Sequence, residues 1–214
     1  MTSPDRAALR CRRIGARLRS WPRAVEGVAA VEFALILPIM VTLFLGMSEV
    51  TLAVNIDRKL TLLSRSLADL SSRTRELTTT EMSNVFGAAS AIMRPFDSPA
   101  PQMVVSSIGV TKSGSTYTGA VEWSCGRNLA ARAQTETEAQ FDAANLKVRA
   151  AGSAYAVPEG FKTDATKSFI LVETLVPYTP VFGYVMTGTI RLRENTPWPV
   201  RDNDRVVGPS SCPA

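Results

Sequence analysis

Residues 28–47 read VAAVEFALILPIMVTLFLGM, and Glu32 is the single charge among these twenty residues. A helix rises about 1.5 Å per residue, so a run of this length spans the roughly 30 Å hydrocarbon core of a bilayer. Such a run predicts a membrane-spanning helix. It also separates the chain into an N-terminal leader and a much larger C-terminal part.

The leader is strongly basic. Arg6, Arg10, Arg12, Arg13, Arg17, Arg19 and Arg23 face only Asp5 and Glu26 before Gly27. Seven of the 24 basic and two of the 19 acidic residues are thereby accounted for. Seventeen of each remain, so the rest of the chain is neutral and the formal +5 belongs to the leader. Positive flanks of a membrane helix stay in the cytoplasm, which puts the N-terminus inside and the chain beyond about Val54 outside. The charge therefore reports topology and gives no reason to expect nucleic acid as a partner. A cleaved secretory signal is the competing reading. Its apolar region is usually about 7–15 residues and ends in a small-residue cleavage site, whereas this run is longer and GMSEVTLAV offers no clear A-x-A pattern.

Past the apolar run, Ser48 to Thr74 contains neither Gly nor Pro. Leu60, Leu63, Leu67 and Leu70 recur at helical spacing, with Arg58, Lys59, Arg65 and Asp69 off that stripe. One long helix is expected, lipid-embedded at first and amphipathic later. Pro38 should kink its lipid half, because proline removes a backbone hydrogen bond. Thr78 and Glu81 have capping-box spacing and predict a second helix carrying Val85, Ala89, Ile92 and Met93, stopped by Pro95. Asp97–Pro101 reads as a linker. Met103–Thr111 and Thr116–Ser124 read as a hairpin around Lys112–Ser115. Ala130–Ala151 suits partial helix. Ser168–Pro177 is the most strand-like run in the chain. Val181–Arg193 suits a further strand or two, weakened by Gly183 and Gly188. The tail Glu194–Ala214, rich in Pro, Asn and Asp, reads as irregular.

The predicted fold class is α+β: a long N-terminal transmembrane helix continuing into an amphipathic helix, then a small exported domain with an antiparallel sheet and helices. The expected divisions are a cytoplasmic leader at 1–27, a transmembrane helix at 28–54, a helical stalk at 55–96 and the exported domain at 97–214. Cys11 lies on the reducing side. Cys125 and Cys212 share the oxidising side, where they form either one disulfide or two free thiols.

The chain has no histidine, which removes the commonest general base and metal ligand. It has no Cys-x-x-Cys, phosphate-binding glycine loop or Gly-x-Ser-x-Gly elbow. The acidic neighbours Glu136 and Glu138, and Asp202 and Asp204, suit solvated charges better than a catalytic pair. Trp123 and Trp198 suit packing better than ligand binding. No cofactor, metal or small-molecule substrate is expected. What remains is the motif at the membrane boundary. Were the chain cut after Gly27, Val28 would be the new N-terminus and Glu32 the fifth residue. A carboxylate at mid-depth in a membrane helix costs up to about 2.5–3.5 kcal/mol on insertion scales. A neighbouring subunit's α-amino group would neutralise it and align the two helices. Alternatively, Glu32 snorkels to the interface near the helix N-terminus.

Gly27-Val-Ala-Ala-Val-Glu-Phe-Ala-Leu-Ile-Leu-Pro38 resembles the N-terminal signature of the TadE-like proteins, pseudopilins of the tight-adherence (Flp) pilus system. Asp57–Leu70, Ala88–Pro95, Val121–Ser124 and Ile170–Phe182 look like the same family. The resemblance implies a single-pass inner-membrane protein with a periplasmic C-terminal domain, or one delivered into the extracellular pilus. It implies a role in type IV pilus assembly, supporting adhesion and biofilm formation. Implied partners are the membrane, a prepilin peptidase, other pilin or pseudopilin subunits and the inner-membrane pilus platform. Carried over by position, Gly27 and Val28 flank the cut, and Glu32 and Phe33 serve recognition or assembly. The chain is far longer than a major Flp pilin, which argues against the main fibre subunit. Two other readings stay open: an unprocessed scaffold of an envelope secretion complex, and a tethered periplasmic enzyme.

Overall fold

A computed structural model describes residues 27–96, 99–132, 136–162, 167–181, 183, 187–201 and 204–213. Two helices come first: α1, Val28–Ser72, and α2, Thr79–Met93. Strands β1, Gln102–Ser113, and β2, Thr116–Arg127, follow. A short helix α3, Glu138–Ala144, and a two-residue strand β3, Ala154–Tyr155, lead to β4, Ser168–Tyr178, and β5, Ile190–Pro199. The chain is α+β. It divides into two units, residues 1–48 and Glu49–Ala214.

In the second unit the sheet runs β3-β2-β1-β4-β5, and every neighbouring pair is antiparallel. Its first face packs on the helices. Ile56, Leu60, Leu63 and Leu67 of α1, and Met82, Phe86 and Met93 of α2, share one core with Met103, Val105, Ile170 and Val172. The expected leucine stripe holds for Leu60, Leu63 and Leu67, each fully buried, and fails at Leu70, which is 39% exposed. The buried face turns instead through Ser64, Ala68 and Ser71. Small residues there bring the helix close to the sheet, and Ser64 Oγ lies 2.6 Å from Thr174 Oγ1 of β4.

The second sheet face is covered by the segment between β2 and β4. Val157 packs with Ile108, Val121, Phe169 and Leu171, and Leu146 packs with Val104 and Leu175. β4 therefore lies between two layers, which explains its continuous apolar run. An Arg149–Glu173 pair clips this cover down: Nε and Nη2 of Arg149 donate to the two carboxylate oxygens at 2.9 and 2.8 Å. That hydrogen bonding, opposed by burial and aided by the carboxylate charge, holds the guanidinium pKa above its ordinary range.

Local signals explain the element ends. Thr78 Oγ1 accepts from Glu81 N at 3.2 Å and Glu81 Oε2 accepts from Thr78 N at 2.8 Å, a complete capping box. The Thr78 backbone N–H first, and second the Thr78 hydroxyl, which donates to the same Oε2 at 2.9 Å, hold the Glu81 carboxyl below the usual range. Thr78→Ala should cost about 1 kcal/mol of stability, measured as a lower denaturant midpoint. The β1–β2 hairpin closes through Gly114, whose φ of 62° suits glycine. Ser107 pairs with Trp123 and Ile108 with Val121, so Glu122 is the extra residue of a β-bulge.

The C-terminal expectation needs correction. The proposed strand from Val181 ends up shifted: β5 begins at Ile190 and runs through Pro199, six residues into the supposed irregular tail. Ile190, Leu192 and Trp198 pack against the helix-side core, so the alternation runs across the boundary that prolines seemed to mark. Pro197 and Pro199 are tolerated because β5 is an edge strand, where a missing N–H can face outward.

Candidate functional site

Gly27 immediately precedes α1, and Val28 opens it. Glu32 is the fifth helical residue, and α1 has no acidic residue in its first turn. A dipole benefit fades within that turn, so little of it reaches Glu32. Phe33, Leu35 and Ile39 are 60%, 69% and 60% exposed, and every residue from 27 to 44 is exposed. α1 runs through Pro38 without a break. By length and composition this helix is capable of crossing a membrane. The apolar surface is continuous, whereas a protein in water seldom exposes so large a patch without a partner.

Further along, the same helix changes role. Leu60, Leu63 and Leu67 are wholly enclosed by the second unit's core. Thus α1 carries a free apolar stretch at one end and a structural spine at the other. Residues 27–69 match the family model described as TadE-like protein. That stretch of α1 is similar to a TadE-like domain. No curated protein and no solved structure matches the chain. The TadE-like match takes in Gly27, Val28, Glu32, Phe33 and Pro38, together with the core leucines, and ends before α2.

The other singled-out residues lie away from this segment. Cys125 and Cys212 form a disulfide. It ends a strap, residues 204–212, laid against the core. Val200 and Val206 are buried, Leu77 N donates to Val207 O at 2.9 Å, and Val207 N donates to Arg75 O at 2.9 Å. Trp123 Nε1 donates to Val206 O at 2.8 Å, and its ring lies so close to Gly208 that a Cβ there would meet Cγ at 2.3 Å. Trp123 and Trp198 are both packing residues of the helix-side core.

The acidic neighbours do not converge. Glu136 lines a cleft of about 410 Å³ with Gln140 and Arg191, but Glu138 does not. Asp202 lies outside the described residues, and Asp204 accepts from Ser168 N through its backbone oxygen at 2.7 Å. No group of three or more His, Cys, Asp or Glu suited to a metal occurs among the described residues. Sequence reasoning missed Glu122, whose Oε2 accepts from Ser107 Oγ at 2.8 Å and Ser168 Oγ at 3.1 Å, while Arg205 Nε lies 2.8 Å from Oε1. It joins β1, β2, β4 and the strap. Nothing in its sequence neighbourhood marks it, because the bulge arises only on pairing. Glu49 was missed as well, although an acid directly behind a long apolar run was a visible signal.

Proposed function

We propose that the chain is a membrane-anchored minor pilin or pseudopilin that serves tight-adherence (Flp) pilus assembly through helix packing and protein contacts. The lipid-embedded part is Val28–Met47, and the sheet domain lies on the periplasmic side of the bacterial inner membrane. The observation that carries this reading is the fully exposed apolar start of α1 within a TadE-like segment. A prepilin peptidase cuts between Gly27 and Val28, and the freed amine lets Glu32 pair across subunits. Buried in lipid, that carboxylate needs a neutralising partner, and an assembling neighbour supplies one.

The arrangement supports contacts rather than catalysis, because a chain without histidine lacks the commonest acid–base group. Two substitutions test the reading in the native host. Gly27→Leu should leave the protein in the membrane at its full, uncut size; a normally shortened product would move the cut elsewhere. Glu32→Ala should leave insertion unchanged and abolish surface pili. Normal piliation in that strain would return Glu32 to a snorkelling role, and an uncut wild-type protein would favour the unprocessed scaffold.

A further inference from the structure

A cleft of about 300 Å³ opens between α2 and the adjoining ends of β1 and β2. The strand register explains its place. Met103 at the start of β1 pairs with Arg127 at the end of β2, so both side chains share the helix-side face of the sheet. Met103 and Phe86 of α2, 1% and 2% exposed, form an apolar floor. Pro101 walls one side, and the Asn128 side-chain amide donates to its carbonyl at 3.1 Å. Gly87 and Ser90 of α2, both exposed, form the opposite rim.

Arg127 is the one charged residue lining the cleft. Its guanidinium is half-buried and reaches only Ser83 Oγ, at 3.4 Å from Nη1. Among the described residues no carboxylate pairs with it, in contrast to Arg149, held by Glu173, and Arg205, held by Glu122. A cation partly withdrawn from water attracts a carboxylate more strongly than one on open surface, because less solvent screens it. The planar guanidinium fork also takes both oxygens of a carboxylate at once.

Gly87 is an independent sign. It lies in the interior of α2, where glycine destabilises a helix relative to alanine. An added Cβ there would meet no heavy atom within 4 Å. The packing of the described chain therefore gives no reason for glycine at this position. A bare backbone on the rim of a cleft lets a second backbone come close. The volume sits at the small end for sites that enclose a whole ligand, so the cleft is measured for a side chain rather than for a free molecule.

We propose that this cleft docks an acidic segment of a partner protein, seating an Asp or Glu carboxylate on the Arg127 guanidinium while the partner's backbone passes over Gly87. The site lies wholly within the second unit and does not depend on Val28–Met47 being lipid-embedded.

The test places photoreactive p-benzoylphenylalanine at Ser90 of the full chain in the native host, and at Ser115 of the distant hairpin tip as background. Joined peptides are mapped by mass spectrometry. The Ser90 site should yield an adduct with a segment of another protein that carries Asp or Glu. Arg127→Gln and Gly87→Leu should each lower its yield about tenfold or more. Purified Gly87→Leu should melt no lower than the wild type, since leucine favours the helix, so its loss of adduct is not unfolding. Arg127→Glu combined with replacement of the mapped acid by Arg should restore the adduct. An adduct that survives either single substitution overturns the proposal, as does failure of the charge exchange to restore it. So does an adduct with a second copy of this chain or with a segment lacking an acid, and so does a yield no greater than at Ser115.

Discussion

Phe169→Ala lowers the stability of the folded unit by about 3–5 kcal/mol, the range for removing a fully enclosed aromatic ring. Phe169 has no exposed surface. Its ring lies 4.6 Å from that of Phe161 and 6.1 Å from that of Tyr155, centroid to centroid. Both neighbours belong to the segment that covers the second sheet face. The substitution therefore leaves a cavity between two layers joined by side chains, and neither layer collapses easily onto the other. Denaturant unfolding of the full chain in detergent, followed by the fluorescence of Trp123 and Trp198, measures it. A midpoint shift corresponding to less than about 0.5 kcal/mol, the scale of a surface substitution, would show that the cover packs on β4 only loosely.

Removing the disulfide by Cys125→Ser costs about 2–5 kcal/mol, typical for the loss of a native bridge in a small exported domain. The bridge joins residues 87 apart in sequence, so the chain it closes is long and its unfolded state is strongly constrained. Cys125 is 1% exposed, so serine also buries a hydroxyl in its place. Cys212→Ser separates the two effects, since Cys212 is exposed. Both variants should lose the strap's protection, seen as faster proteolysis within residues 204–212. If Cys212→Ser unfolds at the wild-type midpoint and resists protease equally, the backbone pairing of Val207 with Leu77 and Arg75 holds the strap by itself.

How much of this was legible depended on the range of the signal. Elements written in local chemistry were readable: the apolar run of α1, the Thr78–Glu81 cap, the hairpin around Gly114, and the β-branched run of β4. Features made by distant pairing were not. The leucine stripe drifted off Leu70 because the sheet, unseen in sequence, selected which side of α1 to cover. β5 was displaced because its prolines read as breakers, and only the edge position makes them acceptable. The strap from residue 204 has no periodicity of its own; its contacts are with Leu77, Trp123 and Cys125, all far away in the chain. The residues of the proposed boundary motif, Gly27, Val28, Glu32 and Phe33, lie close together in the chain and inside the stretch similar to a TadE-like domain, so the resemblance was visible there without knowledge of the fold.

The most direct measurement is to extract native-host membranes at alkaline pH and determine the N-terminal residue of the protein recovered. The chain is expected in the membrane pellet, beginning at Val28. Recovery from the aqueous fraction, with an N-terminus beyond Met47, would contradict it.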